Sequence, residues 1–509
     1  MNKIKKYDLG IYIFRRDLRI KDNRGLIKLS TYTDNIIPIF IFDPNQVNLT
    51  NHTKNYLSFP ALKFMCESLK DLDTTIKKTG SKLNIFYGKS DVIIQYIYRI
   101  LKKQYNNSTS ICTFCLGYNE DYTKYSIERD NIIKETCKQN SIHIITNDDD
   151  FTLCPMNFLV KEDLTPYKQY GAFKKHMLSH LDKFSKSNYK KIHFVNTKNI
   201  FSKSLNINSI DQFWNLHLSN TYTPTEIGGR TNCIQILNTI KKFNQYNDKR
   251  DTLSYNTTRL SAHLNFGTIS ERELYERIVK KLGTDSLLIN QIIWRDYYLT
   301  LLRFLPGATS YNLHIDDRFN KLNWLNSIDN LNQMSKRNKK SYDEWTIMMN
   351  SQTGFLLIDA AIQEIKMTGY MHNRCRLIVG TFAVKYLLIN PLCRYVGLHD
   401  WFSRHLVDCI TSQNKLNCQW ITELDFPGKK FAPSTSVIAG RPMNISNLMI
   451  KKWDPTTEYI KKWLPHLIHI ENSQLYNWDT KYDKSLHPAP IFNRQQRYLE
   501  WINLCKNKL

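Results

Sequence analysis

"GIYIFRRDLRIKDN", residues 10–23, begins as a short buried strand and runs straight into a charged turn. The same kind of strand recurs at "IIPIFIF" (36–42), "KLNIFYG" (82–88), "SICTFCLG" (110–117) and "IHIITND" (142–148), with helical patterns near 55–79, 91–105 and 121–138. This βαβ rhythm predicts a parallel, doubly wound α/β sheet. An ordinary dinucleotide site would need G-x-G-x-x-G after the first strand. The chain has "RRDLRIKDN" there, so no such site is expected.

Residues 156–245 are less regular and rich in Lys, Asn and Ser, and they read as a connection with some helices. From about 246 onward the pattern is long helices, clearest at "LLINQIIWRDYYLTLLRFL" (287–305) and over 355–390. The expected organisation is an α/β domain at 1–150, a connecting segment at 151–245 and an all-α domain at 246–509. At 509 residues the chain is too long for one core.

Lys+Arg total 71 against 46 Asp+Glu, a net charge of +25. An excess of that size favours a polyanionic partner, although an AT-rich coding bias toward Lys, Asn and Ile explains it equally well. Eleven cysteines in no disulfide-like framework point to a reducing, intracellular setting. The isolated Cys112-x-x-Cys115 pair lacks further ligands at matching spacing, so no metal is expected. The N-terminus has no signal-peptide pattern, and no apolar run reaches the length of a membrane span. A soluble monomer is the expectation.

Three stretches carry hydrogen-bonding capacity that a plain core would not. In "NTTRLSAHLNFGTISERELYERI" (256–278), Thr257, Thr258 and Ser261 stand at a helix start, a natural phosphate seat. Taken alone, an ordinary N-cap is the better reading. Tyr246 and Arg250 lie one turn apart just before it. Gln291, Trp294, Arg295 and Tyr298 fall on one helix face, suited to stacking a flat group and gripping an anion. In "MTGYMHNRCRLIVGTFAVKYLL" (367–388), Asn373 and Arg376 share a face of an otherwise apolar helix, while Arg374 points elsewhere. A buried Arg376 needs an acid, and Asp408 is a candidate, in a segment that also offers Asn414 and Trp420.

Together these motifs resemble the DNA photolyase/cryptochrome family. "IYIFRRDLRIKDN" resembles the family's opening W-F-R-x-D-L-R-x-x-D-N; "NEDYTKYSIERD" (119–130), "YNDKRDTLSYNTTRLSAHLNFGTIS" (246–270) and "NQIIWRDYYLTLL" (290–302) follow in the family's order. The likeness is strongest over 353–388 and returns at "KKWDPTTEYIKKWLPHL" (451–467). The resemblance implies FAD in the helical domain, with phosphates at Thr257, Thr258 and Ser261 near Tyr246. It implies an Arg376–Asp408 ion pair over the isoalloxazine and Asn414 facing flavin N5. Trp294 and Trp420 would wall a lesion pocket with Asn373 and Gln291, and Arg250, Arg295, Arg374 and Arg441 would grip the DNA backbone. A second, antenna chromophore of folate or deazaflavin type would lie near Asn119 and Glu120.

The chain departs from the family at several places. Ile410 replaces the second Asp of Asp-x-Asp, and Ile362 replaces a common pocket Met. Of the usual three-tryptophan relay only Trp324 remains, with Cys418 and Tyr395 at the proximal and middle places, so light-driven flavin reduction by that route should be weak or absent. Gln291 is usual in (6-4) photolyases, but Asn373 stands where those enzymes carry a catalytic His. The expected function is therefore light-dependent repair of a cyclobutane pyrimidine dimer in UV-damaged DNA. The alternatives are a cryptochrome-like light sensor, (6-4) repair, or lesion binding without repair.

Overall fold

The computed structural model describes residues 6–48, 57–105, 112–184, 186–197, 200–205, 207–305, 322–325, 330–393, 396–421 and 447–508. The chain forms two compact units, each assembled from separate segments. One comprises Met1–Leu218, Glu226–Asn244 and Thr258–Leu305; the other comprises Ser219–Thr225, Gln245–Thr257 and Pro306–Leu509. These units are discontinuous, unlike the contiguous scheme set out above.

The first unit is built on five parallel strands, β1 (Leu9–Phe14), β2 (Ile36–Phe42), β3 (Asn84–Tyr87), β4 (Phe114–Asn119) and β5 (His143–Asn147), in the order β3-β2-β1-β4-β5. All residues of β1, β2 and β4 are buried, which is why these strands read as unbroken apolar runs and not as alternating ones. The strand order reverses between β1 and β4, each of which pairs in parallel with its neighbours. Helices α1 (Arg24–Leu29), α2 (Phe59–Lys77), α3 (Ser90–Tyr105) and α4 (Lys124–Gln139) follow strands; the last three lie close to the helical patterns in the sequence, and α1 is additional. Their starts are set by local chemistry: Asn23, Ser58 and Thr123 each accept a backbone N–H in the first turn of α1, α2 and α4.

The further helices of this unit include α5 (Tyr170–Leu178), α6 (Glu271–Leu282) and α7 (Leu287–Phe304). What joins α6 to the sheet is a buried ionic network. Arg19 donates to both oxygens of Asp150 at 2.8 Å, and Arg272 Nε donates to Asp22 at 2.8 Å, with both arginines nearly inaccessible. Arg272 also donates to the carbonyls of Asp150 and Thr152. Gly267, with φ +62, lets the "NFG" turn press against the backbone of Arg16 and Asp17; a Cβ there would collide with it. Two motifs about 250 residues apart in the chain thus meet directly, with Leu18 N donating to Phe266 O at 3.1 Å.

The second unit is helical. Its described core gathers Trp324, Phe355, Ile362, Phe382, Trp401, Leu464 and Trp501. The stretch 355–390 is not one helix. It is α8 (Leu356–Thr368), then α9 (Asn373–Thr381), then a π-helical turn at Phe382–Tyr386. The break is at Gly369, which takes the left-handed conformation (φ +69) and returns its N–H to Ile365 O at 2.8 Å. Two more helices complete the region of interest, α10 (Leu398–His405) and α11 (Thr411–Ile421). Among the described residues no helix is long and apolar enough to cross a membrane.

Candidate functional site

In the second unit the crowded start of α9 resolves into separate tasks. His372 caps the helix, its Nδ1 accepting from Arg374 N at 3.2 Å, and its own N–H donates to Glu364 at 3.0 Å. Tyr459 donates to the same carboxylate at 2.7 Å. Asn373 is exposed. Arg374 makes a two-point contact with Asp251, both bonds 2.8 Å, and its guanidinium lies 5.8 Å from the Trp453 ring. Arg250 is half-exposed beside the same Asp251. The Arg374 guanidinium thus already holds a carboxylate.

Arg376 turns inward. Its Nε donates to Met371 O at 2.9 Å, and NH2 donates to both Asp408 oxygens at 3.0 Å. Burial opposes the charge on Arg376, but Asp408 more than offsets it and holds the guanidinium above its usual range. Tyr370 lies 5.5 Å from Arg376, and the Tyr370 hydroxyl meets Thr257 Oγ1 at 3.4 Å. Tyr246 is buried, and burial pushes its hydroxyl up to about 12.

On α11, Asn414 donates to His399 O at 2.8 Å and to His399 Nδ1 at 3.0 Å. Burial, with a smaller contribution from Lys415, pushes His399 down to about 3. The ring is neutral at ordinary pH, so Nδ1 serves as the acceptor and the proton sits on Nε2. Ile410, where the family pattern has an Asp, is buried. Ser412, four residues after Asp408, is fully buried, and its Oγ has no hydrogen-bond partner among the described residues. An unmet buried hydroxyl costs roughly 1–3 kcal/mol. An ion pair, an amide and an unmet hydroxyl within a few residues suit a flat, hydrogen-bonding group such as an isoalloxazine. This donor set fits FAD.

In the first unit the polar face of α7 splits. Gln291 is exposed, Trp294 is half-buried, and Arg295 and Tyr298 are buried. Arg295 pairs with Glu271 at 2.5 Å and donates to Phe151 O. This corrects its assignment as a residue that grips DNA: a guanidinium 4% exposed and already paired does not reach a phosphate. Trp294 stacks on Tyr170, a residue in which the sequence carries no signal, with centroids 3.5 Å apart and planes 6° apart. Thr258 and Ser261 are half-buried. Ser261 is the first residue of a short helix whose cap is Leu260, with no side-chain cap bond, so the ordinary N-cap reading does not hold.

Asn119 is a second correction. Its amide is buried and spent on Tyr12, Asp17 and Asn23 at 3.0, 2.7 and 3.0 Å, a cluster that ties β1 and β4 to the "RRDLRIKDN" turn. Its side chain is therefore not available to an antenna, whereas Glu120 is half-buried near Lys134. Trp324 is also buried, 5.7 Å from Trp501, and so does not stand at the surface as the end of a relay would. Cys418 is buried next to Asn414, with its thiol pushed up by burial. Arg441, Tyr395 and the Trp420 side chain lie outside the described residues.

Two family models match the chain in order: DNA photolyase over residues 10–190, and the FAD binding domain of DNA photolyase over residues 288–507. A deoxyribodipyrimidine photo-lyase of Buchnera aphidicola is 27% identical, covering 99% of this chain and 100% of the relative. Cryptochrome DASH of Xenopus laevis is 26% identical, covering 92% and 84%. The archaeal photolyase of Sulfolobus tokodaii, a structure with two FAD molecules, superposes with a TM-score of 0.78 at 27% identity, covering 98% of this chain and 100% of that one. With both halves of the photolyase architecture matched in sequence and in fold, the chain belongs to the DNA photolyase/cryptochrome superfamily of FAD-dependent, light-driven proteins.

Proposed function

We propose that this chain is a deoxyribodipyrimidine photo-lyase that repairs cyclobutane pyrimidine dimers in UV-damaged DNA. FAD, when bound and reduced, supplies under blue or near-UV light one electron that splits the cyclobutane ring and is afterwards recovered. The residues proposed to hold it in the second unit are Tyr246, Thr257, Arg376, Asp408 and Asn414, with Ser412 added by its unmet hydroxyl. Arg376 and Asp408 orient each other through the shared two-oxygen contact. Asn414 is aimed by its bonds to His399.

Arg250 and Arg374 are proposed to contact phosphates, the latter by exchanging Asp251 for DNA. Trp294 is proposed to stack on the flipped lesion, whose poor stacking lowers the cost of extrusion. A second chromophore, of folate, deazaflavin or flavin type, is proposed at the carboxyl ends of β1 and β4, where strand order reverses.

The observation that carries the choice of lesion is Asn373, exposed at the start of α9 where the (6-4) enzymes need a histidine proton donor. Its neighbour His372 is engaged as the helix cap through Nδ1. The test is turnover of two oligonucleotides, one with a cyclobutane dimer and one with a (6-4) product, in light and in darkness. Light-dependent loss of the cyclobutane dimer alone is the expected result. Turnover of the (6-4) product, or lesion-selective binding with no turnover of either, replaces this reading.

A further inference from the structure

We infer that Tyr170 is a positioning residue for Trp294, holding the indole in the one orientation in which it stacks on a flipped pyrimidine. This rests on the proposed role of Trp294. Tyr170 comes from the connecting segment, and it opens α5. Its ring lies parallel to the indole at 3.5 Å, and its hydroxyl donates to Asn290 O at 3.3 Å. The anchor is thus the backbone of α7 itself, one turn before Trp294. Tyr297 meets both rings edge-on at 5.7 Å, and Tyr298 lies 5.6 Å from the indole.

The four rings form a cluster with a buried root and a half-exposed tip. Tyr297 and Tyr298 are buried, while Tyr170 and Trp294 are half-buried. Burial raises the Tyr170 hydroxyl well above its usual range, so it remains a donor at any working pH.

An indole on a helix surface has several rotamers. Here one face is covered by Tyr170 and one edge is met by Tyr297, so most of them are closed. A ring held in advance loses less freedom when a base stacks on it, which raises affinity without a new contact. Intact DNA keeps its bases stacked in the duplex and does not use this surface. Tyr170 therefore acts on discrimination between damaged and undamaged DNA and not on general DNA affinity.

The test uses the full chain loaded with FAD, in darkness, with a duplex containing one cyclobutane dimer and the same duplex undamaged. Tyr170→Leu should lower the ratio of the two affinities about five-fold, in line with the worth of an aromatic pair. Tyr170→Phe should restore most of it. Under light, the change should fall on half-saturation and not on turnover at saturating dimer. Near-UV circular dichroism reports loss of the stack independently.

If Trp294→Ala loses discrimination while Tyr170→Leu keeps it, the positioning role of Tyr170 falls and the reading of Trp294 survives. If Trp294→Ala keeps full discrimination, both fall. Tighter dimer binding by Tyr170→Leu would make the tyrosine a placeholder in the lesion's seat and overturn the inference, as would an equal fall in both affinities. Should Tyr170→Leu not fold, Tyr170→Met, which also lacks a ring to stack, is read in the same way.

Discussion

Two buried polar regions, one in each unit, show how similar side chains come to opposite ends. In the first unit Arg19, Asp22, Asp150 and Arg272 pair with one another, and the leftover guanidinium nitrogens, Arg19 Nε excepted, find backbone carbonyls. In the second, Arg376 and Asp408 also pair, but Ser412, four residues after Asp408, has a hydroxyl unmet among the described residues. A closed network specifies packing. An open one is strained until something polar completes it. The difference is one of degree: the first network spends nearly all of its charged donors inside the unit, while the second leaves a small neutral hydroxyl open.

The contrast breaks most readily by opening the closed network. Arg272→Ala leaves Asp22 and Asp150 facing Arg19 alone, and should cost the first unit about 3–5 kcal/mol. Equilibrium denaturation followed by a probe in each unit checks this. An unchanged midpoint for the first unit would mean the network is not closed.

Acid should weaken both units, by a route unrelated to either network. His263 lies in the first unit and His399 in the second, and burial pushes them down to about 4 and about 3. The unfolded rings take up a proton near 6.5, whereas the folded ones do not until well below that. Between those values the unfolded state holds more protons. The stabilisation is complete above about 6.5 and is lost as pH falls toward 4 and 3, on the order of 3–5 kcal/mol for each ring. Melting temperature measured from pH 7.5 down to pH 5 should fall steadily; a flat profile contradicts neutral burial.

The smallest effect on folding should come from the open site. Asp408→Asn gives Arg376 a neutral partner, and because the Arg376 side chain is 22% exposed, solvent softens the loss. Flavin affinity should drop about 30-fold, or about 2 kcal/mol, with little change in the denaturation midpoint. Absorbance retained through gel filtration reads the first, and denaturation the second. Equal losses in both would place this pair with the architecture.

Much of the fold was legible because its signals are local. The five strands stand out as apolar runs, whereas the caps Asn23, Ser58 and Thr123 obey capping chemistry but became evident only in the structure. The pairing of Arg376 with Asp408 was legible too, since a buried guanidinium demands a nearby acid. Within the helical pattern over 355–390 the break at Gly369 was not legible, because glycine's tolerance of the left-handed turn shows only in the backbone.

Arg295 and Asn119 were misassigned for a different reason. Glu271 takes Arg295, and Asp17, Asn23 and Tyr12 take Asn119. Nothing in the chain order distinguishes an arginine that has such a partner from one that reaches for DNA.

The sequence by itself determined which segments are strands, where many helices lie, and which residue types are gathered for chemistry, because those follow from periodicity and the spacing of a few motifs. Only the tertiary structure decided which polar groups are consumed and which stay open. Arg374 meets Asp251 across 123 positions, and Tyr170 meets Trp294 from another helix. Hydrogen bonding and stacking are contacts in space, and no local pattern records who the distant partner is.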